Sequence, residues 1–305
     1  MGGCFYVQGE GGDVQGAIAI QNLCKTYRGK RGKRVTALAD LNLQVEVGQV
    51  FGFLGPNGAG KSTTIKLLLD LIRPTSGVCR LFGADSRDPA TRQRIGYLPE
   101  NPSFYDYLSA EEYLSFVGSA FRLDRSIMAA RKGEVLKQLG LWDVRKRAIR
   151  TYSKGMVQRL GIAQALLHDP DLLIFDEPMS GLDPLGRALV KSVIRELRQL
   201  GKTVFFSTHI TADVEAVCDR VGILVGGHLR VVTDVNKILT RGLQGYVVEV
   251  ITDGGAVSIA EVGKDDLQKE LNRFWSEGSR IERIEPIRPD MESYFLSVVQ
   301  QVEAP

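Results

Sequence analysis

Disulfide bridges, membrane-spanning helices and a nucleic-acid footprint all lack support in this 305-residue chain. Its four cysteines, Cys4, Cys24, Cys79 and Cys218, lie too far apart for a metal or redox spacing. They read as reduced thiols of a cytosolic protein. No stretch approaches the roughly 18 unbroken apolar residues of a membrane helix. Residues 1–16 hold no basic-then-apolar signal pattern, and Tyr6 stands where a myristoylation motif needs Ser or Thr. They read as a flexible, glycine-rich tail. Charge of one sign is also scarce, at a formal net +3. Without a long basic tract, nucleic acid is not an expected partner. No internal repeat is visible. What remains, 44% hydrophobic and 25% charged, is an ordinary globular composition, and the length suits one large domain with an addition.

Against that background stands Gly55-Pro56-Asn57-Gly58-Ala59-Gly60-Lys61-Ser62-Thr63. The spacing G-x-x-x-x-G-K-S is the P-loop pattern of nucleoside triphosphate binding. Gly55, Gly58 and Gly60, with Asn57 and Ala59 between them, let backbone N–H groups turn inward around a phosphate. A helix starting near Lys61 adds its positive end. Lys61 would set an ammonium on the outer phosphates, and Ser62, followed by Thr63, would ligate magnesium. The context agrees. Val50 to Leu54 is a short apolar run, as a buried strand should be, and Ile65, Leu68, Leu69 and Ile72 recur at helical spacing.

Such a loop needs an acidic partner strand. Leu172-Leu173-Ile174-Phe175 ends in Asp176, the expected magnesium residue, acting through water. Glu177 follows and would orient, or take a proton from, an attacking water. Ser207-Thr208-His209 closes the next apolar run, so His209 would stand at the ligand edge of a parallel sheet and steady the terminal phosphate.

Around these runs the pattern is α/β. Ala17 to Leu23 and Leu41 to Val47 alternate, which predicts an antiparallel β subdomain. The basic segment Arg28 to Arg34 tops that pair, either as a solvated loop or as a contact for anionic headgroups or an acidic partner. Helical periodicity over Ala110–Phe121, Ser126–Leu139 and Val157–Leu167 predicts a helical insert at about 100–168. The main domain then covers 17–234, and 235–305 reads as a small α+β accessory domain.

Taken in order, these residues resemble an ATP-binding cassette ATPase, the nucleotide-binding subunit of an ABC transporter. The resemblance spans about Ile18 to Val232. It includes Tyr27, the P-loop, Glu100, the block Tyr152-Ser153-Lys154-Gly155-Met156-Val157-Gln158-Arg159, Asp176-Glu177-Pro178, Ser180-Gly181-Leu182-Asp183 and His209. It implies that Tyr27 stacks on adenine. It implies that Ser153 and Gly155 contact the terminal phosphate of ATP held by a second copy, and that Asp183 links the two sites. ATP and Mg2+ are the implied cofactors. The implied partners are that second copy and a separate integral membrane permease, which places the chain in the cytoplasm on the inner face of the membrane.

Two positions depart from the common pattern. The signature L-S-G-G-Q is here Tyr152-Ser153-Lys154-Gly155-Met156, and the Q-loop position, in Gly96-Tyr97-Leu98-Pro99-Glu100, carries Glu100 where the family has glutamine. Glutamate still accepts from a metal-bound water but cannot donate like an amide. Both departures resemble a branch, mostly exporters, whose ATPase chain serves a separate permease. Pro289 to Leu296 resembles the closing helix of that branch. Two rivals stay open: a relative acting on nucleic acid or ribosomes, and a module that senses ATP without driving transport.

Overall fold

A computed structural model describes residues 16–29, 32–240, 245–252, 255–287 and 290–303. The tail expected over 1–16 lies outside them except for Gly16, as do Lys30 and Arg31 of the basic segment and Pro289 before the closing helix.

Two long antiparallel strands come first, β1 (Ile18–Arg28) and β2 (Arg34–Val45). Leu41, Leu43 and Val45 are buried and the intervening Gln44 is exposed, the period-2 pattern of a one-sided sheet. β3 (Val50–Leu54) is buried throughout and leads through the glycine loop into α1 (Lys61–Leu68). β4 (Ser76–Leu81) returns beside β1 and pairs with the two-residue β5 (Ala84–Asp85). The result is a four-stranded antiparallel sheet, β2-β1-β4-β5.

A single turn, α2 (Pro89–Arg92), precedes β6 (Ile95–Leu98). The helical insert follows with α3 (Ala110–Ala120), α4 (Arg125–Gln138) and α5 (Lys154–Leu166). α3 begins on a capping box in which Ser109 and Glu112 satisfy each other's backbone N–H groups. The chain then alternates through β7 (Leu172–Asp176), α6 (Pro184–Gln199), β8 (Thr203–Thr208), α7 (Thr211–Val217), β9 (Arg220–Val225), β10 (His228–Asp234) and α8 (Val235–Leu239).

The second sheet has the order β10-β9-β3-β8-β7-β6. Neighbours from β9 to β6 are parallel, and β10 is antiparallel. A parallel sheet needs cover on both faces, and β3, β7 and β8 are buried at every residue. One face packs against the antiparallel sheet, with Phe51 and Phe53 set 5.8 and 5.3 Å from the Phe205 ring. The other carries Leu173, Phe175 and Phe206 against Leu160 of α5 and Ile194 of α6. α5 therefore covers the main sheet as well as closing the insert. At Gly96 a Cβ would stand 2.2 Å from the Ala165 carbonyl oxygen, so only glycine lets α5 press onto β6. The register puts Asp176 opposite Ser207 and Leu54 opposite Thr208. The C-terminal ends of β3, β7 and β8 thus meet at one edge, where open α/β sheets bind ligands.

Beyond residue 244 come β11 (Gly245–Ile251), β12 (Val257–Gly263), α9 (Leu267–Ser276), β13 (Arg280–Ile287) and α10 (Met291–Glu303). The strands form the sheet β12-β11-β13, and Phe274 of α9 closes a small core with Val248, Val250 and Val262. α10 packs elsewhere. Met291 is fully buried, and Tyr294, Phe295 and Val298 lie with Val214 of α7, Val221 of β9 and Ile238 of α8. The stretch expected as one accessory region, 235–305, is thus divided by its packing. α8 and α10 share the core beside β9, because that is where their apolar side chains are covered, and 245–287 builds its own.

Candidate active site

The loop between β3 and α1 closes on Gly60, whose φ of 111° lies in the left-handed region. A Cβ there would also stand 2.6 Å from the Ala37 carbonyl oxygen, so a side chain is doubly excluded. No side chain caps α1, which leaves its first N–H groups for an anion. They open on a pocket of about 370 Å³ lined by Asn57, Gly58, Ala59, Gly60, Lys61, Ser62 and Thr63, with Ala37, Glu100 and Glu177. A cleft of similar size, about 330 Å³, lies between α4 and α6, but Arg131, Glu134 and Lys202 in its wall face no nucleophile or phosphate-binding loop.

Lys61 is 6% exposed. Its ammonium donates to the carbonyl oxygens of Gly55 at 2.7 Å and Pro56 at 3.3 Å, and lies 3.5 Å from Glu177 Oε1. Asp176, buried at the end of β7, accepts from Ser62 Oγ at 3.3 Å and from Ser207 Oγ at 2.5 Å. Ser62 opens α1 and Asp176 ends β7, and the two would present their oxygens to a magnesium ion from one side. Among the described residues no three His, Cys, Asp or Glu side chains gather around a metal position. The donor set therefore fits a cation that takes its other oxygens from phosphate and water, as magnesium does. Tyr97 of β6 lies near this carboxylate. Burial, together with the Asp176 charge, pushes its hydroxyl pKa up to about 12.

Glu177 has a φ of 51°, unusual for any residue but glycine, and is held there from both sides. Its N–H donates to Ser207 Oγ at 3.0 Å and to the Ser207 carbonyl at 3.2 Å. Its carboxylate oxygens lie 3.1 and 3.0 Å from His209 Nδ1. A carboxylate accepts, so Nδ1 carries the hydrogen, and Nε2 of the half-exposed ring lies outside this bond. Lys61, Asp176, Glu177 and His209, read from separate stretches of sequence, are one connected cluster.

The other candidates stand apart from that pocket. Ser153 is the exposed N-cap of α5 and accepts from the Met156 N–H at 3.3 Å. Gly155 lies in the first turn of the same helix, where a Cβ would touch Leu182 at 3.4 Å. Asp183 caps α6 through the Gly186 N–H at 2.8 Å. Tyr27 is 39% exposed on β1, with the Lys25 ammonium 5.1 Å from its ring centre. None of the four lines the pocket. Glu100, on the loop after β6, does.

Two residues escaped the sequence reading. Ser207 binds both Asp176 and Glu177, but only the register of β7 with β8 places it there. Gln158 is buried in α5 and donates to the carbonyl oxygens of Glu177 and Pro178. It stands in the block Tyr152–Arg159, which was the one available signal.

Comparison with known proteins identifies the family of this chain. The family model described as ABC transporter matches residues 38–180. The uncharacterized ABC transporter ATP-binding protein sll0415 of Synechocystis sp. is 40% identical over 88% of this chain and 80% of its own length. The bacitracin transport ATP-binding protein BcrA of Bacillus licheniformis is 36% identical over 92% of this chain and 97% of its own. A solved structure titled as the ATP binding subunit of an ABC transporter superposes with a TM-score of 0.67 at 30% identity, covering 84% of this chain and 99% of that one.

Proposed function

The chain belongs to the ABC transporter family as an ATP-binding, ATP-hydrolysing subunit, and from that premise we propose that two copies close on two ATP molecules and drive a separate membrane permease in the direction of export. The observation that carries the two-copy reading is the division of the site. Lys61 and Glu177 line the pocket, and Asp176 and His209 are bonded to its wall through Ser62 and Glu177, while Ser153 and Gly155 sit at the start of α5 and neither line it nor bond to it. A second copy, placed head to tail about a two-fold axis, would bring its α5 to the open side of each pocket.

In that arrangement the loop N–H groups and Lys61 bind the phosphates, with Tyr27 stacked on the adenine. Ser62 and Asp176 would hold magnesium, which supplies charge neutralisation on the outer phosphates. Glu177 orients a water and takes its proton as the oxygen attacks the terminal phosphorus and ADP leaves. His209, its Nδ1–H on Glu177, aligns that carboxylate and offers Nε2 to the phosphate side. The partner's α5 start, with Ser153 and Gly155 at its head, would complete the cage. Asp183, at the cap of α6, would link the two sites.

No helix among the described residues is long and apolar enough to cross a membrane. Attachment to the inner face would therefore run through the permease. The insert offers a surface for it: Tyr105, Tyr107 and Phe116 are each more than half exposed, with Tyr107 and Phe116 set 6.1 and 6.0 Å from the Tyr105 ring. Exposed aromatic rings of this kind are common interface anchors. Export rests on the resemblance; the bacitracin transport relative supports transport, and its name gives no direction.

Glu177→Gln tests the reading. The variant should bind ATP, form a dimer in analytical ultracentrifugation only when ATP and magnesium are present, and turn over far more slowly than the native chain. A variant that stays monomeric at saturating ATP, or hydrolyses it at the native rate, would overturn it.

A further inference from the structure

Gln158 is 4% exposed, in the second turn of α5, five residues beyond Ser153. Its Nε2 reaches across to the loop after β7 and donates to the carbonyl oxygens of Glu177 at 3.4 Å and Pro178 at 3.2 Å. Both partners only accept, so the amide nitrogen, with its two hydrogens, must face them. The Glu177 carbonyl also takes the Ser180 N–H at 3.1 Å. On its other side Glu177 is held by Ser207, through hydroxyl and carbonyl. The peptide units before and after Glu177 are thus gripped, one by β8 and one by α5. That double hold is what keeps a non-glycine residue at a φ of 51°.

We propose that Gln158 is a positioning residue that carries the occupancy of the opposing nucleotide site, sensed at the start of α5, to Glu177 of its own chain. The inference rests on the two-copy reading above. A phosphate seated on Ser153 and Gly155 loads the first turn of a helix whose second turn is bonded to the Glu177 loop. The i→i−4 bonds between those turns make the segment stiff over so short a distance. A shift of α5 on engaging the partner's ATP therefore moves the Glu177 and Pro178 carbonyls with it. Hydrolysis in each pocket becomes conditional on ATP in the other.

The test uses the full chain with Gln158→Met, close in volume but without a donor, and Gln158→Glu. As a dilute monomer, Gln158→Met should bind a fluorescent ATP analogue within about twofold of the native chain, because the pocket residues are untouched. Combined with Glu177→Gln it should still dimerise on ATP. Its kcat should fall by about tenfold or more, and its Hill coefficient for ATP should drop from about 2 toward 1. Gln158→Glu regains a donor only when its carboxyl is protonated, and burial favours that form. Its activity relative to the native chain should rise as pH falls. A purely structural glutamine would lower stability and binding together and leave the Hill coefficient alone. Native kcat and Hill coefficient in Gln158→Met overturn the proposal, and so does failure of the double variant to dimerise. Should Glu177→Gln by itself stay monomeric with ATP, the two-copy reading falls first and takes the inference with it.

Discussion

Ser207→Ala removes one oxygen at a fully buried position and tests how the metal-side carboxylate is held. Ser207 Oγ donates to Asp176 Oδ1 at 2.5 Å and accepts from the Glu177 N–H at 3.0 Å. The two losses are unequal. The Glu177 N–H keeps the Ser207 carbonyl at 3.2 Å, so it is not stranded. Among the described residues Asp176 then keeps only the Ser62 hydroxyl, at 3.3 Å. The bond that disappears is charge-assisted, a class worth about 1.5–3 kcal/mol. At about 2–4 °C per kcal/mol for a domain of this size, Tm without nucleotide should fall by roughly 3–12 °C. The freed carboxylate should also lose its orientation toward Ser62. Loss of an outer partner typically costs a metal site about tenfold or more, so half-saturating Mg2+ in the ATPase assay should rise accordingly. Calorimetry without nucleotide reads the first effect, and a Mg2+ titration at saturating ATP reads the second. A variant that melts within about 1 °C of the native chain and needs no extra Mg2+ would refute the reasoning.

Lys61→Met should weaken ATP binding by about tenfold or more, read by fluorescent-nucleotide titration, since it removes the buried ammonium that lines the pocket; native affinity would contradict the loop's role. Met291→Ala should cost about 2–5 kcal/mol in urea unfolding, because the side chain is fully enclosed where α10 meets α7 and β9. An unchanged midpoint would mean that α10 is not part of that core. The Cys79 thiol is pushed up to about 12, first by burial and then by the Asp85 charge. The unfolded thiol ionises near 9, so the folded state binds the extra proton and stability should fall as pH rises from about 9 toward 12. Cys79→Ala should flatten that decline in urea midpoints, and an equally steep decline would assign it to other groups.

What was legible in the sequence was whatever local pattern dictates. The glycine loop, the apolar runs ending at Asp176 and His209, and the insert helices over 110–120 and 125–138 all follow from spacing and period. The strand Ile95–Leu98 escaped because four residues with a glycine among them carry almost no periodic signal. The helix Thr211–Val217 is barely two turns and is set by its packing on β3, β8 and α6. Val257–Gly263 was hidden for another reason: Val257 and Ile259 are exposed, so the strand does not have the inward apolar alternation of a covered sheet. In the site, residue types at strand ends were readable, but Ser207 and Gln158 were not. Their roles come from the register of β7 on β8 and from the approach of α5 to the Glu177 loop, and both are long-range facts.

Lys154 shows how the altered signature is accommodated. In place of the family's glycine, its Cε and Nζ lie 2.7 and 2.9 Å from where a Cβ on Gly181 would stand. Gly181 has a φ of 70°, which favours glycine for its backbone, and its missing side chain leaves room for the flexible end of Lys154. The bulk added at one position is thus absorbed at the other. The charge is a separate matter. An ammonium at a helix start opposes the helix dipole, at a cost of about 0.3–1 kcal/mol, and among the described residues no carboxylate pairs with Lys154. Ser153 still caps the helix and Gly155 still leaves its N–H open, so no phosphate donor is lost. The departure from the common signature therefore adds a cation where the two-copy reading puts the partner's terminal phosphate. In the isolated subunit the exposed ammonium is screened by water, and an anion arriving there would gain its charge.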